Sequence, residues 1–234
     1  MKIQWLGHCC FRLIESTGTT IITDPYQPQE DLTLPSVTAD VVTCSHDHPN
    51  HANAQAIGGN PTVITEPGFF EIKGVDVETM YAGKENHIVC KYRMDGVDIC
   101  HLGDIASDCT PDLVDMLGPV DVLLIPIGGN GYTIDAETAK EYVDVLMPEI
   151  VIPMHYASDE YEFDCDLDKL RNFVNLFDDE NVKELETDTL EFDRDDFDNE
   201  TSTVIIPNLY KLSSTKTQRS PLHLGKGIVF LLCC

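Results

Sequence analysis

Over the first hundred positions the apolar residues come in short runs, many alternating with polar ones at every second place. This is the pattern of strands with one buried face. Residues 2–6, 10–15 and 19–23 read as three successive strands, with a Ser16-Thr17-Gly18 turn and Asp24-Pro25 closing the meander. The run DVVTC at 40–44 is a short buried strand, and residues 50–57 read as a short helix stopped by Gly58-Gly59. Strands follow at 62–65, 71–73, 75–79, 88–94 and 97–102, with Asp95-Gly96 as a hairpin signal, so an antiparallel block is expected here.

Beyond residue 103 the texture changes to αβ units. Helices at 111–117 and 136–146, the second capped by Asp135, alternate with strands at 120–125 and 150–153. A third helix is expected over 166–177 and the last strands over 182–186 and 203–206. No compositional break precedes about residue 207, so residues 1–212 form one domain in this reading. Residues 213–234 differ in kind: they carry Lys216, Arg219 and Lys226, no acid, and end in GKGIVFLLCC. That apolar run falls well short of the roughly 20 residues a membrane helix needs, and the segment is expected to be a disordered tail.

Charge narrows the possible partners. With 41 acidic against 15 basic residues the formal net charge is −26, and the isoelectric point is near 4.3. Such a surface repels nucleic-acid phosphates and anionic membranes, which excludes both as expected partners. The excess fits either adaptation to a high-salt interior or a solvated acidic face. Nine scattered cysteines, no Cys-x-x-Cys pair and a start without an export signal lead us to expect buried free thiols and a cytoplasmic location.

The candidate chemistry lies at TCSHDHPNH, residues 43–51, where three histidines leave a buried strand. Neutral imidazole is the commonest metal ligand. It suits zinc first, with iron, nickel and manganese also compatible. The other reading of the triplet alone is a polar loop.

The segment SHDHPNH after DVVTC resembles the His-x-His-x-Asp-His signature of the metallo-β-lactamase superfamily. WLGHCCFRL, ITDP, ICHLGD, LLIPIGGNGYTID and IVIPMHY follow the order found in its branch of small cytoplasmic metal-dependent hydrolases, the one related to the lactonase of phosphorylated ascorbate. The resemblance spans residues 3–156 and implies a four-layer αββα sandwich, within the α/β class, carrying one or two divalent metals at its edge. It assigns His46 and His48 to a first metal, His51 and His155 to a second, and Asp104 to a bridge between them. Asp24 would orient a ligand imidazole, its plain alternative being a turn former before Pro25, and His8 would line the pocket. His101 reads as a packing or supporting residue. Gly128, Gly129 and Gly131 could offer N–H groups to an anion or could simply make turns.

Two departures from the family pattern stand out. The motif Asp is Asn50, whose amide is a poorer ligand for a dication and cannot accept a proton. The catalytic positions are then Asp104 and Asn50. A third histidine for the first metal is also missing from VETMYAGKENH, where Met80 and Tyr81 stand near its place. His87 is the one histidine nearby. It reads as a strand or surface residue beside the pocket, since it opens the next strand. The expected function is hydrolysis of a small ester, lactone or phosphodiester by metal-activated water. The alternative is an impaired relative that binds a metal or metabolite.

Overall fold

The computed structural model describes residues 1–83, 86–158, 161, 165–197, 201–210 and 222–223. The chain runs through β1 (Lys2–Gly7), β2 (Cys10–Ile14), β3 (Thr20–Thr23), β4 (Val41–Thr43), β5 (Thr62–Ile64), β6 (Gly68–Ile72), β7 (Val75–Tyr81), β8 (Ile88–Met94) and β9 (Val97–His101). It continues with α1 (Pro111–Leu117), β10 (Val122–Pro126), α2 (Ala136–Leu146), β11 (Ile150–Met154), α3 (Leu170–Val174), β12 (Val182–Glu184), β13 (Thr189–Glu191), β14 (Thr203–Ile206) and β15 (Leu222–His223). One sheet has the order β15-β13-β1-β2-β3-β4-β5 and the other β12-β14-β11-β10-β9-β8-β7-β6.

The alternating half of the chain pairs antiparallel, as its pattern implies: β1 to β3 form one meander and β6 to β9 another. The αβ half supplies β10 and β11, which run parallel and are buried at every position. Continuous apolar runs of this kind belong to strands covered on both faces. On one side α2 packs against β10, burying Ala139, Tyr142 and Val143. On the other the two sheets meet: the Thr43 and Tyr92 hydroxyls pair at 2.7 Å across them, and His101 Nε2 donates to the Cys9 carbonyl at 2.9 Å. One apolar core runs through both sheets, giving the expected α/β sandwich.

Both well-formed helices start as their sequences specify. Thr110 accepts from the Leu113 N–H, and Asp135 from the Thr138 N–H. Two expected helices are corrected. The segment 50–57 forms only a 3-10 turn, Ala54–Ala56, because its polar groups bond elsewhere: Asn53 donates from its backbone to Pro25 O and from its side chain to Tyr26 O. The helix expected over 166–177 shrinks to Leu170–Val174. Before it, Asp168 donates to Gly128 O and accepts from Ala157 N, so this backbone joins the loop after β10. The pairing of β13 with β1 is a strand that the sequence reading did not place.

Within the segment expected as a tail, residues 222–223 pair in parallel with β13. The rest of it lies outside the described residues. Among the described residues no helix is long and apolar enough to cross a membrane, and the cysteines, Cys9, Cys10, Cys44, Cys90, Cys100, Cys109 and Cys165, are free thiols.

Candidate metal centre

The strand ends carry the polar groups of the sandwich to one edge. Beyond β4 come Ser45 and His46, beyond β3 Asp24, beyond β9 Asp104 and beyond β11 His155. The β1–β2 turn brings His8, and His87 sits just before β8. The rings then crowd together. Centroids lie 4.1 Å apart for His8 and His155, 5.1 Å for His8 and His51, 4.5 Å for His46 and His51, and 5.7 Å for His51 and His155. His48 is 5.7 Å from His46 and 6.0 Å from His51. Three of the residues sit in the left-handed backbone region, His8 at φ 52°, Asp24 at 37° and His155 at 52°. Non-glycine residues adopt it at a cost, and such strain concentrates at functional sites.

Asp24 organises the buried end. Its Oδ2 accepts from His51 Nδ1 at 2.8 Å and from the Ser45 hydroxyl at 2.6 Å, while Oδ1 accepts the Ser45 N–H at 2.7 Å. These bonds place the His51 proton on Nδ1 and leave the lone pair on Nε2, the tautomer a ligating imidazole needs. With its proton committed to Asp24, the Ser45 oxygen can only accept from His46 Nδ1, 3.2 Å away. His46 therefore also keeps its free lone pair on Nε2. At the other end Asp104 Oδ1 stands 3.5 Å from His46 Nδ1 and 3.4 Å from His87 Nε2.

The electrostatics follow from burial. Removal from water would raise the Asp24 carboxyl, but the His51 hydrogen bond, the His101 and His51 rings and the Ser45 hydroxyl outweigh it and hold Asp24 far below the usual carboxylate range. Asp104 is likewise held down by the surrounding imidazoles against the effect of burial. Burial, assisted by His51, pushes His46 down to about 4 and His155 to about 3. His51 alone moves up, because its bond to Asp24 overcomes desolvation. Neutral imidazoles and ionised carboxylates are the forms that bind dications.

The candidate site residues His8, Asp24, His46, His48, Asn50, His51, His87, Asp104 and His155 come to this edge. Asp24 is a partner of an imidazole rather than a bare turn former. His101 is fully engaged through both nitrogens, donating to Cys9 O and accepting from Gly103 N. Asn50 is half-buried. Its amide oxygen accepts from Gln29 Nε2 at 3.2 Å, and its backbone N–H donates to His48 Nδ1. The anion cradle suggested for the glycine loop is corrected at Gly129, whose N–H donates to Ile134 O. Gly128 acts through space instead: a Cβ there would fall 2.2 Å from the His155 carbonyl oxygen. The sequence reading put His87 beside the pocket, but not its ring against Asp104.

Among the described residues, three groups of potential ligands have donor atoms within 4.8 Å of one another: His8, Cys9, His51 and His155; His46, His48 and His51; and His46, His87 and Asp104. His87 Nε2 and His155 Nδ1 are buried with no hydrogen-bond partner among the described residues. A cluster of neutral imidazoles around a carboxylate, with buried lone pairs left over, has the donor set a divalent metal requires.

Residues 2–155 match the model of the beta-lactamase superfamily domain. The chain belongs to this superfamily. Relatives of this chain include a UPF0173 protein of Pyrococcus furiosus, 30% identical over 203 residues that cover 74% of this chain and 94% of the relative. A UPF0173 metal-dependent hydrolase of Carboxydothermus hydrogenoformans is 28% identical, covering 67% of this chain and 84% of its own. A crystal structure from Thermotoga maritima, described as a candidate Zn-dependent hydrolase of the metallo-β-lactamase superfamily, is 37% identical. It aligns with a TM-score of 0.74 over 88% of this chain and 97% of that one.

Proposed function

We propose that this member of the metallo-β-lactamase superfamily is a metal-dependent hydrolase of a small ester, lactone or phosphodiester, with zinc as its first-choice metal. The reading is carried by one observation: a set of crowded imidazoles, with the His51 lone pair freed on Nε2 by Asp24, stands beside the Asp104 carboxylate, which has nitrogens of His46 and His87 within 3.5 Å. The names of the relatives from Carboxydothermus and Thermotoga support the same class.

His46 and His48 would hold a first ion, His51 and His155 a second, with Asp104 between them. When bound, such ions lower the pKa of water, polarise a carbonyl or phosphoryl oxygen and stabilise the leaving oxygen. The chain's own part is to keep these side chains deprotonated and aimed. Asp24 holds the His51 tautomer, and burial keeps His155 neutral near pH 7. Asn50 can offer a carbonyl oxygen but neither charge nor a proton-accepting carboxylate, so proton removal would fall to Asp104. The acidic surface speaks against nucleic acid or an anionic membrane as a partner.

The test is metal analysis of protein purified without added metal, followed by a broad ester, lactone and phosphodiester screen with and without zinc. Zinc-dependent turnover of any of the three supports the proposal. Metal bound with no turnover across the screen would favour the binding-protein alternative to which Asn50 points.

A further inference from the structure

We propose that His87 is a metal ligand in this chain, supplying from the start of β8 the third imidazole of the first ion. The inference rests on the metal-centre reading above and adds a residue to it. Tyr81, near the position where the family pattern expects this histidine, cannot serve: its side chain is 52% exposed and its hydroxyl donates to Glu66 Oε2 at 2.9 Å, on the outside of β7.

His87 arrives by another route, and its backbone is pinned from both sides. Its carbonyl accepts from Ala82 N at 3.0 Å, and the N–H of the next residue, Ile88, donates to Ser45 O at 2.8 Å. That second bond ties His87 to the residue immediately before His46, so the two imidazoles share a fixed frame, with ring centroids 5.9 Å apart.

The ring itself is oriented like a ligand. Nδ1 lies 3.0 Å from the Ala82 carbonyl oxygen, which can only accept, so the proton sits on Nδ1 and the lone pair on Nε2. Nε2 is buried, has no hydrogen-bond partner among the described residues, and faces Asp104 Oδ1 at 3.4 Å. A lone pair and a carboxylate oxygen at that separation repel one another unless a proton or a metal ion lies between them, and the pair does not make a hydrogen bond. His46, whose Nδ1 is 3.5 Å from the same oxygen, completes a three-residue cluster.

Space for the ring is provided by Gly103, at φ +61°. A Cβ there would fall 2.6 Å from His87 Nε2 and 2.6 Å from Ser45 Cβ. Only glycine at 103 lets His87 approach the carboxylate of the next residue. The first ion would then have His46, His48, His87 and Asp104, without any contribution from the Tyr81 position.

The test compares metal-free wild type with His87→Asn in cobalt and zinc titrations followed by absorption spectroscopy and calorimetry. Asn keeps a donor for the Ala82 carbonyl but has no equivalent of Nε2, so a purely structural role would be preserved. We expect His87→Asn to melt with wild-type cooperativity without metal and to lose about 10-fold or more in affinity for one ion. Cobalt absorption should change with it. Equal affinity in both proteins would overturn the assignment while leaving the hydrolase proposal standing, whereas a wild type that binds neither ion would remove both. Should the variant fail to fold, a zinc-soaked crystal of the wild type decides. His87 Nε2 at the roughly 2.0–2.1 Å of a zinc–nitrogen bond supports the proposal, and an ion on His46 and Asp104 with His87 turned away refutes it.

Discussion

The two ends of the histidine basin are built on different plans. At one end His51 and His155 are 2% and 4% exposed, and His51 is braced by a carboxylate that is itself buried and held by Ser45. At the other, His48 is exposed, His46 and Asp104 retain side-chain exposures of 24% and 17%, and bracing comes from a hydroxyl and main-chain groups. A charged acceptor in a dry setting fixes a ring far more firmly than a neutral one near water. The buried end is thus suited to holding an ion and the open end to admitting a substrate. The asymmetry separates affinity from access within one site.

The largest effect that would sharpen this contrast is expected from truncating ligands at the two ends. His51→Ala should lower metal affinity by more than the roughly 100-fold that bounds the loss of an outer hydrogen-bond partner. His48→Ala should cost distinctly less. Competition titration with a zinc chelator measures both, and the reverse ranking would break the comparison. Next in size, Asp24→Asn should weaken metal binding by roughly 10–100-fold, because the amide can present an N–H to His51 Nδ1 and unfix its tautomer. Binding as tight as wild type would show that Asp24 does not set the ring.

Acid offers a third probe, in the metal-free protein. His46 and His155 titrate near 4 and 3 when folded, against 6.5 when unfolded. The unfolded chain therefore takes up protons first. Stability is fully present above pH 6.5 and falls on acidification, by about 1.4 kcal/mol per pH unit for each histidine, until the folded groups titrate too. His51, whose value is raised, opposes the trend: its contribution is full below 6.5 and fades as pH rises through its folded value. Denaturant melts from pH 7 to 4 should show a net fall, and a flat profile would contradict the burial of these rings. The smallest effect belongs to Asn50→Asp, at the open end. Under two-metal hydrolysis it should raise metal content and rate by a few-fold, and no change in either would count against a second ion near residue 50.

Much of this was readable in the chain, for local reasons. His46, His48 and His51 share one turn, and Asp104 and His155 directly follow buried strands, so short motifs locate them. The meanders and α2 were legible because periodicity and caps are local too. His87 was legible only as a pocket neighbour; its contact with Asp104 was not, since that depends on the Ile88–Ser45 bond and on the missing side chain of Gly103, both distant in sequence. The same holds for β13: TLE is too short to show a period, and it becomes a strand by pairing with residues 2–4 and 222–223. Residues 166–169 carry apolar spacing that reads as helix, yet their backbone groups find partners at Gly128 and Ala157 instead.

The close passage of Gly128 beneath the His155 carbonyl means that the last imidazole is located by an empty volume as much as by any bond. A methyl group at 128 would touch no substrate and remove no donor, yet it would have to displace the loop that carries the ring. In a saturation scan scored by metal uptake, position 128 should therefore be as intolerant as the histidines, and a list of chemically active side chains would not include it.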